Sequence, residues 1–134
     1  MTLTKVRSTV PQELDDLAER TIGLCLKVHT VFGPGMSEGV YVRALHVEFE
    51  TNGISYDFEK PVPIHYQGKL ICTQRLDLLV EGQLILEAKA VDRIHRMHVA
   101  QAVSYLRATG LRLALIINFN VESLRLQGIR RVVL

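Results

Sequence analysis

Apolar positions in the first quarter of the chain recur with a helical period. Leu14, Leu17, Ala18, Ile22, Cys25, Leu26, His29 and Phe32 return every three or four residues, which predicts an amphipathic helix over about 11–32 with one buried stripe. Thr9 is placed to cap it, Gln12 stands at the capping-box position, and Pro11 is tolerated in the first turn. Gly33-Pro34-Gly35 then ends the helix sharply, because neither residue type supports a helix interior. Ser37 is placed to cap a second helix reaching about residue 51, with Val40, Ala44, Leu45 and Phe49 on its inner side and Asn52-Gly53 as its stop.

From Ile54 onward the period changes. The segment 61–66 reads as extended and belongs at a sheet edge, since Pro61 and Pro63 cannot donate to a ladder. A turn at Gln67-Gly68-Lys69 leads into two apolar, β-prone runs, 70–80 and 84–88, separated by Glu81-Gly82-Gln83 as in a hairpin. A third helix is predicted over about 92–108 and stopped by Thr109-Gly110. The continuous apolar run 111–118 has the pattern of a strand buried on both faces, and a short last strand is expected over 129–133. The order α-α-β-β-β-α-β-β predicts one α/β domain over 1–134, its core about 11–133, with a mixed central sheet flanked by helices.

Composition fits this picture and removes some alternatives. The chain has 134 residues, 48% of them apolar and 22% charged, which is wrong for a disordered protein. Its 16 basic and 14 acidic residues leave a net charge of +2, too small to demand a nucleic-acid partner and incompatible with a histone-like polycation. Cys25 and Cys72 match no zinc or redox spacing and read as core thiols in a reducing compartment. Residues 1–10 carry charges and hydroxyls instead of an apolar block, and no stretch approaches the roughly 18 apolar residues of a membrane helix. A cytoplasmic protein without membrane contact is the expectation.

Two acids stand in unusual settings. Asp77 and Glu87 lie inside apolar strands, where a carboxylate is costly unless paired or bound to a cation. Glu87 and Lys89 share a strand face. Whether Asp77 joins them depends on the hairpin: a two-residue loop pairs position 77 with 86 and separates the acids, whereas a three-residue loop with glycine in the left-handed position pairs 77 with 87. The odd loop is the expected one, although local sequence does not force it. Converging, the two acids and a lysine suit Mg²⁺ or Mn²⁺, with Lys89 steadying a bound water or phosphate charge. The plainer alternative is a solvent-facing Glu-Lys pair on an edge strand plus one stray aspartate. Glu38, in the first turn of the second helix, suits the helix dipole in any case. Gln101 and Tyr105 share a helix face, with His98 one turn earlier.

These residues, taken in order, form a pattern spanning nearly the whole chain. Gly35, Glu38 and Tyr41 follow Val28-His29 and Gly33-Pro34; Asp77 precedes Glu87-Ala88-Lys89; Gln101 precedes Tyr105; then come Ile116-Ile117-Asn118-Phe119 and Gly128-Ile129-Arg130-Arg131. The pattern resembles the GxxExxY proteins, grouped with the PD-(D/E)XK nuclease-like superfamily, with Asn120 standing where glycine is more usual. The resemblance implies a restriction-endonuclease-like core. It makes Asp77 and Glu87 the principal metal ligands, with the Ala88 carbonyl and Glu38 completing the set, and Lys89 the catalytic lysine. Gln101 and Tyr105 would orient the site or hold the scissile phosphate.

The remaining polar residues sort less sharply. His95 and His98 are three apart on a helix, but no third ligand has zinc spacing, and His98 near substrate phosphate is the better reading. His29, His46 and His65 read as packing or surface residues. Arg75, two residues from Asp77, suits either a phosphate clamp or an ion pair. Arg93, Arg96, Arg107, Arg112, Arg125, Arg130 and Arg131 crowd the C-terminal half, where they form a solvated face or bind phosphates non-specifically. The expectation is therefore a Mg²⁺- or Mn²⁺-dependent nuclease acting on DNA in preference to RNA, able to pair as a homo-oligomer. The alternative is a nuclease-fold module that binds nucleic acid or protein without useful turnover, and a plain structural domain is a third reading.

Overall fold

The computed structural model describes residues 10–134. Its elements are α1 (Gln12–Phe32), α2 (Glu38–Thr51), β1 (Tyr56–Tyr66), β2 (Lys69–Val80), β3 (Leu84–Lys89), α3 (Arg96–Thr109), β4 (Leu113–Asn118), α4 (Leu124–Gln127) and β5 (Ile129–Val133). The strands form one sheet in the order β1-β2-β3-β4-β5. Only β3 and β4 pair in parallel, and α3 supplies the crossover that a parallel pair requires. This is the expected mixed α/β arrangement, consistent with a restriction-endonuclease-like fold. The single turn α4 is an addition, too short to show a period and capped by the Ser123 hydroxyl, which accepts from the Leu126 N–H at 3.3 Å.

Helices cover both faces of the sheet. Leu14, Ala18 and Ile22 of α1 with Leu45 and Phe49 of α2 pack on Leu78, Leu86, Leu115 and Ile117. On the other face Ala102, Tyr105 and Leu106 of α3 pack on Leu76, Leu79, Ile85 and Ile116. All six residues of β4 are buried, as a central strand requires, and β1 with its two prolines takes the edge. No helix among the described residues is long and apolar enough to cross a membrane.

Several local expectations are corrected. Of the two thiols expected in the core, Cys25 is buried but Cys72 is exposed, because it lies on the part of β2 that no helix covers. The cap assigned to Thr9 lies outside the described residues. With Pro11 at the N-cap, Gln12 is the first helical residue and not the third that a capping box uses, and its amide donates to Asp16 Oδ1 at 2.9 Å. Ser37 occupies the N-cap of α2 without a side-chain cap bond. Tyr41 and Val42 are buried on α2, whereas Val40 and Ala44 are only partly covered. That rotation lays the Tyr41 ring on Phe119, with centroids 4.4 Å apart and planes 8° from parallel. Phe32 is exposed at the end of α1, edge-on to Tyr41. α3 starts at Arg96 instead of 92, with His95 as its N-cap closing a capping box with His98, while the buried Asn118 fixes the approach at Val91: Oδ1 accepts its N–H at 3.1 Å and Nδ2 donates to its C=O at 2.9 Å. β1 begins at Tyr56, earlier than expected, and β4 at Leu113, later.

Candidate active site

The hairpin register decides whether the two acids meet. β2 and β3 pair as Val80 with Leu84, Leu79 with Ile85 and Leu78 with Leu86, leaving the three-residue loop Glu81-Gly82-Gln83. Gly82 is left-handed at φ 67°, and so is Glu81 at φ 52°. The Glu81 carboxylate is held by the Ser55 N–H (3.1 Å) and hydroxyl (2.9 Å), which fixes that conformation. This is the odd loop, and its register carries Asp77 toward Glu87.

The backbone ladder stops at Leu78 and Leu86, and the carboxylates take over. The Asp77 N–H donates to Glu87 Oε1 at 3.3 Å, while the Ala88 N–H donates to Asp77 Oδ2 at 3.0 Å. Asp77 also marks a slip in the alternation of β2. Leu76 and Leu79 both lie under α3, whereas Leu78 and Val80 lie under α1 and α2. Opposite the slip, Glu59 of β1 sits at φ 52° between the pairs Phe58–Leu78 and Lys60–Leu76. Nothing in the sequence signals a left-handed glutamate inside a strand. β3 meanwhile stays locked to β4, with Glu87 opposite Ile116 and Lys89 opposite Asn118.

Glu87 is 4% exposed. Burial, then the Asp77 charge, pushes its carboxyl from an ordinary 4.5 to about 8, against the opposing pull of Lys89. Tyr105, buried on α3, faces the same pair, and burial followed by the charges of Glu87 and Asp77 raises its phenol. His98 is driven below the usual imidazole value by burial, then by Lys89 and His95, with Glu38 opposing. Lys89 thus acts electrostatically on both Glu87 and His98. The His98 Nδ1 accepts the His95 N–H at 3.0 Å, so this pair caps α3 in place of forming a zinc site.

Glu38 reaches the site from α2. With Asp77, Glu59, Phe58, Arg43 and Gly39 it lines a cleft of about 220 Å³. Its position is set by Tyr41, whose hydroxyl donates to the Gly33 carbonyl at 2.5 Å and accepts the Met36 N–H at 3.2 Å. The tyrosine of the Gly35-Glu38-Tyr41 motif is therefore a buried pin for the loop that presents the glutamate. Gly33 (φ 62°) and Gly35 (φ 108°) allow that loop its path. Arg75 is exposed and pairs with Glu59 at 3.3 Å, the ion-pair reading of that residue, and Gln101 is exposed one turn before Tyr105.

The donor set is hard oxygen, which suits Mg²⁺ or Mn²⁺ and not a soft metal. Each acid of the pair spends one oxygen on a backbone amide, and a cation between them would relieve the repulsion that raises Glu87. Among the described residues, no three His, Cys, Asp or Glu side chains gather as a ready-made metal site. The pair is the core of the arrangement, with Glu38 joining through Asp77.

Comparison with curated proteins and with solved structures returns no match. Residues 15–132 match the PD-(D/E)XK nuclease superfamily, a span that runs from α1 into β5 and contains the acid pair, Lys89 and Tyr105. That span covers nearly all of the described residues, and the chain belongs to the PD-(D/E)XK nuclease superfamily.

Proposed function

We propose that this chain is a divalent-metal-dependent nuclease of the GxxExxY kind, hydrolysing phosphodiester bonds in DNA in preference to RNA. The observation that carries the reading is the mutual approach of Asp77 and Glu87 at the end of a β-ladder, with Lys89 on the same strand face as Glu87. Asp77, Glu87 and the Ala88 carbonyl would hold Mg²⁺ or Mn²⁺, and Glu38 would complete the set from α2. A bound cation polarises a phosphoryl oxygen and lowers the pKa of a coordinated water. Lys89 orients the attacking water and offsets charge on the phosphate. The water oxygen would bond to phosphorus as the P–O ester bond breaks, the water giving up one proton to solvent and the leaving alkoxide taking one from it. Tyr105 and Gln101 orient the acids and the scissile phosphate from α3. His98, held as a neutral imidazole, lies beside that phosphate, and Arg75 can leave Glu59 to clamp its neighbour.

The test is cleavage of plasmid DNA and of RNA in Mg²⁺ or Mn²⁺ by the wild type, Asp77→Asn and Lys89→Ala. Loss of cleavage in both variants is expected. Unchanged cleavage in both refutes the site. Tight nucleic-acid binding without turnover in any metal would instead favour the binding module.

A further inference from the structure

The β1–β2 hairpin runs past the body of the protein. Residues 65–75 are all exposed, on both faces of a two-stranded ribbon. Such a ribbon has no core of its own. Its tip also displays Tyr66, Leu70 and Ile71, at 65%, 60% and 61% exposure. Exposed apolar side chains on a bare ribbon mark a binding surface.

Charge identifies the occupant. Residues 60–75 carry Lys60, Lys69 and Arg75 and no acid, in a chain whose bases and acids nearly balance. The neighbouring α3 carries Arg96 and Arg107 and likewise no acid. A cleft of about 460 Å³ runs between ribbon and helix, with Ile64 and His65 on one wall and Ser104 and Arg107 on the other. Pro61 and Pro63 lie in the edge strand and cannot donate, which closes that edge to strand addition by a second copy.

We propose that the β1–β2 ribbon is an arm that grips double-stranded DNA beside the cleavage site. A two-stranded ribbon fits the major groove of B-form DNA, about 12 Å wide, whereas the deep, narrow major groove of A-form RNA excludes it. Lys60 and Lys69 take phosphates, and the apolar tip meets base edges and thymine methyl groups. The strand β2 leads from Lys69 at the tip to Asp77 in the site, about 26 Å at roughly 3.3 Å per residue. At 3.4 Å per base pair, the arm holds the duplex about eight base pairs from the scissile bond. The inference rests on the nuclease reading for its purpose, though the arm can be tested without cleavage.

The experiment compares the wild type with Lys60→Gln/Lys69→Gln. Anisotropy in EDTA measures binding to a 24-base-pair DNA duplex, the matching RNA duplex and the single strand, at several salt concentrations. The wild type should prefer duplex DNA. The variant should bind it about tenfold more weakly, with a log Kd against log salt slope reduced by about 0.9 per lost phosphate contact. Hydrolysis of bis(p-nitrophenyl) phosphate, too small to touch the arm, should be unchanged with Mn²⁺. Equal duplex binding by wild type and variant overturns the arm, as does equal preference for single strand or RNA. A wild type that binds the duplex through Lys60 and Lys69 but hydrolyses neither ester nor DNA leaves the arm standing and defeats the nuclease reading. A dimer in sedimentation that is abolished by Leu70→Ser/Ile71→Ser would give the surface to a second copy and overturn the proposal.

Discussion

Replacing Glu87 by glutamine should stabilise the metal-free protein at alkaline pH and leave it unchanged in acid. The unfolded chain releases this proton near 4.5, whereas the folded chain holds it to about 8. Between those values the folded state binds more protons, so stability falls as pH rises, by up to about 1.4 kcal/mol per unit. Below 4.5 the penalty is absent; above 8 it is complete, with a ceiling of about 4–5 kcal/mol over the interval. Glutamine keeps the side chain neutral at every pH and can still accept from the Asp77 N–H, and the extra strength of that bond to the charged form is already contained in the value near 8. A gain approaching about 4–5 kcal/mol at pH 8.5 follows, or roughly 15–20 °C in Tm for a chain this long.

Thermal unfolding of wild type and Glu87→Gln in EDTA, from pH 4.5 to 8.5, measures the effect. All other titrations are common to both proteins, so the difference curve isolates position 87. It should open with rising pH and close near 4.5. Mg²⁺ at ten times its Kd should then return about 1.4 kcal/mol to the wild type at pH 8.5 and nothing to the variant. Parallel curves across the whole range, or a variant no more stable at pH 8.5, would refute the argument that burial and Asp77 hold Glu87 toward its neutral form.

Two further substitutions test how the site is supported. Tyr41→Phe keeps the stack on Phe119 but removes both bonds to the 33–36 loop, and should cost about 1–3 kcal/mol in urea unfolding while weakening Mn²⁺ binding through a loosened Glu38; undiminished stability would show that the hydroxyl does not pin that loop. Gly128→Ala would set a Cβ 2.4 Å from the Asn118 carbonyl oxygen and 2.6 Å from Leu124 Cδ1, so a loss of about 1–3 kcal/mol is expected, and no loss would mean that the β4–β5 junction has room to give.

Much of the fold was legible because its elements are built by period. The stripe on α1, the doubly buried β4 and the prolines at the β1 edge each follow from residue type and spacing. The phase of α2 was not, because it depends on Tyr41 meeting Phe119, which lies far along the chain. Nor was the start of α3, since it is set by a histidine capping box, His95 with His98, that residue type does not announce. In the site, the acid pair was visible as two charges in apolar strands, yet its convergence rested on a loop that local sequence left open. The structure resolves that choice through Ser55, whose bonds to Glu81 hold the three-residue turn. Glu59 and the slip at Asp77 had no sequence signal at all.

The slip explains why two carboxylates can approach inside a sheet. In an unbroken antiparallel ladder, position 77 would exchange backbone bonds with its partner and its side chain would simply alternate. Here the ladder ends at Leu78 and Leu86, and the acid side chains accept amide protons in its place. The loss is confined to β2, because β3 keeps its parallel pairing with β4 through Lys89 and Asn118. Glu87 and Lys89 are thereby fixed through β4, to which β3 stays paired, whereas Asp77 sits on a strand that has let go of β3 and is matched by a left-handed Glu59 on its other side. Glu38 enters from a third element, anchored by Tyr41. The candidate ligands thus do not share one support: the sheet fixes Glu87, the helix entry fixes Glu38, and Asp77 between them is the member with freedom to adjust. A substitution that restores regular alternation at position 77 should therefore disturb the site more than one of equal size at Leu79, which makes an ordinary core contact.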